Sequence, residues 1–245
     1  MGRIETFTGF GRAQITRIST YFALTMLCAL LMSTKAHALH ADEATLQERL
    51  PVAIKVTPLE ARSRIRHWQD FVQHTRHKSE ADKLTAVNDY FNALRFIQDE
   101  TLWRKPDYWA TPLQVLAAGA GDCEDFAIAK YFTLRTLGVA DEHLRITYTW
   151  NRTTSSGRRE PHMVLIYMKT ANAGPLVLDI LTTDIQTLAQ RKGLEPVYGL
   201  NSGGLWLVGT NAKAIPAGNP AQLSQWRLLS REMERDTTML FRKYK

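Results

Sequence analysis

An α+β fold, with N-terminal helices laid on an antiparallel sheet, is what this 245-residue sequence predicts. Two observations carry that reading. Between residues 59 and 137 the apolar residues recur every three or four positions, the spacing of one buried helix face. From residue 144 the period changes to short β-branched and aromatic runs, the pattern of strands. Helices come first and strands later, without the alternation that builds parallel β-α-β units. No internal repeat or low-complexity tract interrupts the chain.

The elements follow in order. Arg3, Arg12 and Arg17 precede an uncharged apolar run from Tyr21 to Met32, and Ala36-His37-Ala38 then offers a small-x-small cleavage site. This reads as an export signal cut after Ala38, with an uncleaved anchor as the competing reading. The apolar run falls short of the about 20 residues that cross a bilayer, and no later run is long enough. Residues 39–245 are then expected to form a single domain with a C-terminal helix. Residues 59–77 and 80–99 read as two helices, the second burying Leu84, Val87, Tyr90, Phe91, Leu94 and Ile97. Residues 103–111, with Pro106 and three large aromatics, read as an ordered loop. A short helix spans Pro112 to Ala118 and stops at Gly119. Cys123 opens a further helix that Gly138 ends. Strands are expected at 144–150, 163–169, 175–178, 197–200 and 205–208, with a polar loop at 151–160 and a turn at Asn201-Ser202-Gly203-Gly204. An amphipathic helix from Pro220, carrying Trp226, Leu229, Met233 and Leu240, closes the chain.

Composition excludes several classes. The net charge is +7, and part of it lies in the signal. The remaining basic residues are scattered, so a phosphate-reading stripe is not indicated. Of two cysteines, Cys28 lies within the signal, which leaves Cys123 as an unpaired thiol in an oxidising compartment. A disulfide scaffold and a zinc centre of metal-spaced histidines are both unsupported.

Cys123 sits in Gly121-Asp122-Cys123-Glu124-Asp125-Phe126-Ala127. Three carboxylates around a thiol make a poor core and a reasonable site. A helix N-terminus favours the thiolate, and a nucleophilic thiol needs a base and a group that orients the base. His40, His67, His74 and His77 lie on polar stretches, and His143 is in a loop. His162 heads an apolar strand directly after a polar loop. Asp179 closes the apolar run Leu176-Val177-Leu178, where it is either a turn-starter or an orienting acid. If those two strands are neighbours, Asp179 can accept from the imidazole, as the third member of a triad does. The carboxylates of Asp122, Glu124 and Asp125 have two compatible readings. Asp122 can cap the helix while the other two favour its positive end, or the group can hold a hard cation.

The run around Cys123, His162 in Pro-His-Met-Val-Leu and Asp179 in Leu-Val-Leu-Asp together resemble the bacterial transglutaminase-like cysteine proteinases, within the papain/transglutaminase-like fold. Asp107-Tyr108-Trp109-Ala110-Thr111-Pro112, Pro196-Val197-Tyr198 and Gly204-Leu205-Trp206 add to the likeness, which spans roughly residues 58–210. Ile180 stands where that family is expected to carry asparagine. The resemblance implies Cys123 as nucleophile, His162 as general base and acid, and Asp179 as the orienting residue. It implies Ca2+ held by Asp122 and Glu124, with Asp125 and carbonyls of the 103–109 loop as additions. A bound cation would offset negative charge that otherwise raises the thiol pKa. It further implies a periplasmic endopeptidase that cleaves the N-terminal region of a large surface adhesin, promotes biofilm dispersal, and is sequestered by an inner-membrane cyclic di-GMP receptor. Two other readings stay open: acyl transfer to an amine (transglutaminase or amidase chemistry) through the same triad, and a non-catalytic binding module in which Cys123 is merely packed.

Overall fold

The computed structural model describes residues 56–152, 157–169, 174–208 and 214–241. The expected export signal of residues 1–38 and the centre of the expected 151–160 loop lie outside the described residues. Among them, no helix is long and apolar enough to cross a membrane.

Thr57 begins the first helix, α1 (Pro58–Thr75), with a capping box: its hydroxyl accepts from the Glu60 N–H and the Glu60 carboxylate returns to the Thr57 N–H. Helix α2 (Glu80–Asn92) is capped by Ser79 and buries Leu84, Val87 and Phe91. Its predicted extension to residue 99 is corrected by the structure. The helix ends at Asn92, and Arg95–Phe96 (β1) turn out to pair in parallel with Ala120–Gly121 (β2). A separate four-residue helix, α3 (Asp99–Leu102), follows. Leu94 and Ile97 still pack on the core, so the apolar spacing was right while the backbone path changed.

The 103–111 segment is irregular, as expected, and Arg104 and Asp107 have positive φ. Helix α4 (Pro112–Ala118) carries a Thr111–Gln114 capping box and stops at Gly119 with φ 64°. Arg64 donates from Nε to the Leu116 and Ala117 carbonyls there, and a Cβ on Gly119 would lie 2.9 Å from that Nε. Helix α5 (Cys123–Thr136) then runs through the centre of the molecule, burying Phe126, Ala127, Tyr131 and Leu134.

Seven antiparallel strands form one sheet in the order β6-β5-β4-β3-β7-β8-β9. They are β3 (Leu144–Asn151), β4 (Glu160–Tyr167), β5 (Leu176–Leu178), β6 (Gln186–Thr187), β7 (Leu194–Asn201), β8 (Gly204–Val208) and β9 (Ala214–Gly218). Strand β4 starts three residues earlier than its apolar run implied. Strands β6 and β9 were not anticipated. The first is two residues long, and the second carries Pro216, which suits an edge and weakens any strand signal. Helix α5 packs across β3 and β4, and one core joins Phe91, Leu102, Trp103, Phe126, Leu134, Ile146, Leu165 and Leu178. Helix α6 (Ser224–Phe241) returns over α5, with Trp226 stacked on Phe132 at 6.4 Å and Asp236 accepting from Thr111 Oγ1.

Candidate active site

Local sequence places the thiol. Gly119 turns the chain, Ala120–Gly121 run briefly as a strand, and extended Asp122 starts α5 so that Cys123 is its first helical residue. Gly121 is required by a close approach, because a Cβ there would lie 2.8 Å from the Asp125 Cβ. Asp122 occupies the N-cap position without a geometrically formed side-chain capping bond, and Glu124 and Asp125 fill the first turn. Oδ1 of Asp122 is buried with no hydrogen-bond partner, as is Oδ1 of Asp99.

The predicted base and acid meet. Strands β4 and β5 are neighbours, with Leu165 opposite Leu178. His162 and Asp179 are both buried, and Nε2 of His162 lies 2.7 Å from Oδ1 of Asp179. That leaves Nδ1 for other work. Asp179 is held on every side. Its Oδ1 also accepts from the Leu181 N–H at 3.0 Å, and its Oδ2 takes Nε and Nη2 of Arg191 at 3.0 and 2.9 Å. Burial opposes ionisation of Asp179, but His162, the Leu181 N–H and Arg191 outweigh it and leave its pKa lowered. Ile180 supplies none of this. Arg191, which lies beyond any motif, does the holding.

Behind the pair, buried Lys130 donates to Asn88 Oδ1 at 2.9 Å and Asn92 Oδ1 at 2.7 Å. Asn92 in turn donates to the carbonyls of Asp179 and Thr182, and Asn88 to that of Thr183. Burial, against the pull of Asp179, lowers the Lys130 pKa to about 7. Helix α5 thus carries both the thiol and a cation that anchors the Asp179 turn.

Cys123 and His162 line one cavity of about 160 Å³, together with Asp107, Trp109, Glu124, Tyr148, Met163 and Tyr198. The thiol is partly buried and donates to Glu124 Oε2 at 3.0 Å. Burial, then the charges of Glu124 and Asp122, push its pKa well above the ordinary thiol value, while the Met163 N–H opposes them. The helix N-terminus alone does not produce a thiolate here.

The acidic cluster explains why. Asp99, Asp122 and Asp125 bring one carboxylate oxygen each within 4.8 Å of one another, and so do Asp122 and Glu124 with the thiol. Burial and mutual repulsion raise Asp99 and Asp122 to about 8 and Glu124 to about 7. Asp125, fully buried, is raised well above its usual value. Its two oxygens already accept from the Ala110 N–H at 2.8 Å and from Trp103 Nε1 at 2.9 Å, so it serves as the post that ties the 103–110 loop to α5. Asp99, which accepts from the Tyr108 N–H, was missed by sequence reading because it looked like the end of α2. Asp99, Asp122 and Asp125 are an all-oxygen donor set suited to a hard cation, two of them with an orphaned oxygen, and Glu124 adjoins it on the thiol side of Asp122. The other histidines stay out of it: His67, His74 and His77 are exposed, and His143 faces Glu80.

The profile of the bacterial transglutaminase-like cysteine proteinases (BTLCP) matches residues 61–192. Solved structures of Legionella pneumophila LapG are similar throughout the described core. The EGTA-treated form is 36% identical with a TM-score of 0.63, covering 71% of this chain and 89% of that one. The calcium-bound form is 35% identical with a TM-score of 0.61, covering 71% and 91%. No curated protein sequence matches at a significant level.

Proposed function

The chain belongs to the bacterial transglutaminase-like cysteine proteinases, and from that premise we propose a periplasmic, calcium-dependent endopeptidase that cuts the N-terminal region of a large surface adhesin and so promotes biofilm dispersal. One observation carries the chemistry: a thiol at a helix start and an imidazole bonded to a buried carboxylate share a cavity. Cys123 Sγ attacks the peptide carbonyl, and its proton passes to His162 Nδ1. Asp179, kept ionised by its bond to His162 and, less strongly, by the Leu181 N–H and Arg191, holds the ring by Nε2 and stabilises the imidazolium. His162 then returns the proton to the departing amine, leaving a thioester on Cys123. Water, deprotonated by the same imidazole, hydrolyses it.

Calcium suits the acidic cluster by donor chemistry and by the two orphaned oxygens; Asp122, common to both acidic groups, would hold it with Asp99 and Asp125 on one side and Glu124 on the other. Bound there, it would neutralise the carboxylates that keep the thiol protonated. A LapG solved in a calcium-bound form supports the reading. The Ala-x-Ala signal supports the periplasm, and the family likeness supports control by an inner-membrane cyclic di-GMP receptor that sequesters the enzyme.

The test is purified protein mixed with an adhesin N-terminal fragment from the same cell, in calcium or in EGTA. Cleavage in calcium only, lost in Cys123→Ala, is the expected result. Cleavage by Cys123→Ala ends the nucleophile assignment, and full activity in EGTA removes calcium. Incorporation of a labelled amine into glutamine side chains, without cleavage, would replace proteolysis by acyl transfer.

A further inference from the structure

The core face of the sheet extends beyond the helices that cover it. Ile146, Leu200 and Leu205 stand opposite one another on β3, β7 and β8, and the first two are fully buried. Two residues along each strand the same face continues as Tyr148, Tyr198 and Leu207, again mutually opposite. Met163 extends this row on β4 and Ile215 on β9. Five strands thus contribute one uncharged side chain each to a row across the sheet. At one end Met163, Tyr148 and Tyr198 line the Cys123 cavity, and the two tyrosine rings stack at 5.2 Å within 3° of parallel. At the other end Leu207 and Ile215 are 52% and 53% exposed beside the free sheet edge.

We propose that this row is the floor for the substrate polypeptide on one side of the cut bond, with Leu207 and Ile215 receiving apolar side chains several residues away. The proposal rests on the proteolytic reading above. A chain cut at Cys123 has to leave the cavity over one of its rims, and this rim is apolar and continuous with the thiol's own lining. Strands about 4.8 Å apart place Ile215 about 19 Å from Met163, the span of about six extended residues. An apolar pair left open at the far end of such a row has the position of a subsite rather than of a scattered surface residue.

Wild-type protein and the double variant L207K/I215K are incubated in calcium with a peptide library from a digested proteome, and new N-termini are identified by mass spectrometry. Both are also alkylated with iodoacetamide, which reads the thiol without using the row. Wild type should favour Leu, Ile, Val or Phe at positions about three to six residues to one side of the cut. The variant should lose that preference, gain one for Asp and Glu there, and cut apolar peptides about tenfold more slowly. Its alkylation rate and its choice of residues at the cut itself should not change. Identical profiles in the two proteins would overturn the proposal, as would a wild-type dimer in sedimentation that the variant abolishes, since the strip would then belong to a second copy. Normal alkylation without any cleavage by wild type would overturn proteolysis, and this inference with it.

Discussion

Removing calcium should cost this protein stability in proportion to pH. Asp99 and Asp122 titrate at about 8, well above a free carboxyl, because burial and their neighbours disfavour the charge. A carboxyl raised by folding costs nothing below its unfolded pKa, and stability falls as pH climbs from there toward the folded pKa. At about pH 7 one such Asp is about three units past its unfolded value, or about 4 kcal/mol at about 1.4 kcal/mol per unit. The acids share protons, so the cluster's total is nearer one group's contribution than the sum of three. A cation on them reverses the loss, and calcium at about 100 times its Kd adds about 2.7 kcal/mol. For a domain of this size that is about 5–11 °C in Tm. Calorimetry at about pH 5 and about pH 7 on protein freed of calcium beforehand, each with and without excess added calcium, reads the difference; comparing within each pH cancels titrations away from the ion. The calcium shift should be small at the lower pH and several degrees at the higher. Equal shifts at both, or none at either, would refute an uncompensated acid cluster as the calcium site.

Other expectations concern the supports of the site. Arg191→Met leaves Asp179 buried without its cation, so urea unfolding should show a loss of about 3 kcal/mol. Asp179, lowered by its partners, contributes stability that disappears as pH falls through its folded pKa, and in the variant that disappearance should start at higher pH. Lys130→Met orphans two asparagine oxygens at a cost of about 2 kcal/mol. Wild type carries the full cost of burying a Lys130 charge below about pH 7 and sheds it as pH rises, so the measured deficit should be larger in alkali. Gly121→Ala drives a methyl into Asp125, and should abolish the calcium-dependent Tm shift while costing about 1–3 kcal/mol in EGTA.

The contact of His162 with Asp179 and the cavity that Cys123 and His162 share were foreseeable because each residue sits at a boundary that composition marks: a glycine before a helix, a polar loop before a strand, an acid after an apolar run. The class was equally plain, since a change from helical to alternating period survives any error in the end points. Asp99 and Arg191 were not legible. Asp99 continues a helical-looking stretch and becomes a cluster member only because the chain breaks at Asn92 and turns back toward Gly121. Arg191 lies in a loop with no pattern and finds Asp179 through the tertiary fold alone. Asp125 was legible by its charge, and it meets Asp99 and Asp122 while also accepting from the Ala110 N–H and Trp103 Nε1.

The pairing of Arg95–Phe96 with Ala120–Gly121 has only two rungs, with Ile97 donating to the Gly121 carbonyl at 2.9 Å. So short a clasp, separate from the seven-stranded sheet, contributes little stability of its own. Asp99 follows one side of it and Asp122 the other. A divalent ion joining those two acids therefore closes the same loop that the clasp closes, as an added rung. Amide exchange at Arg95 and Ile97 should then slow when calcium is added, if the proposed ion site is right, and the helix that Cys123 opens begins just past that clasp.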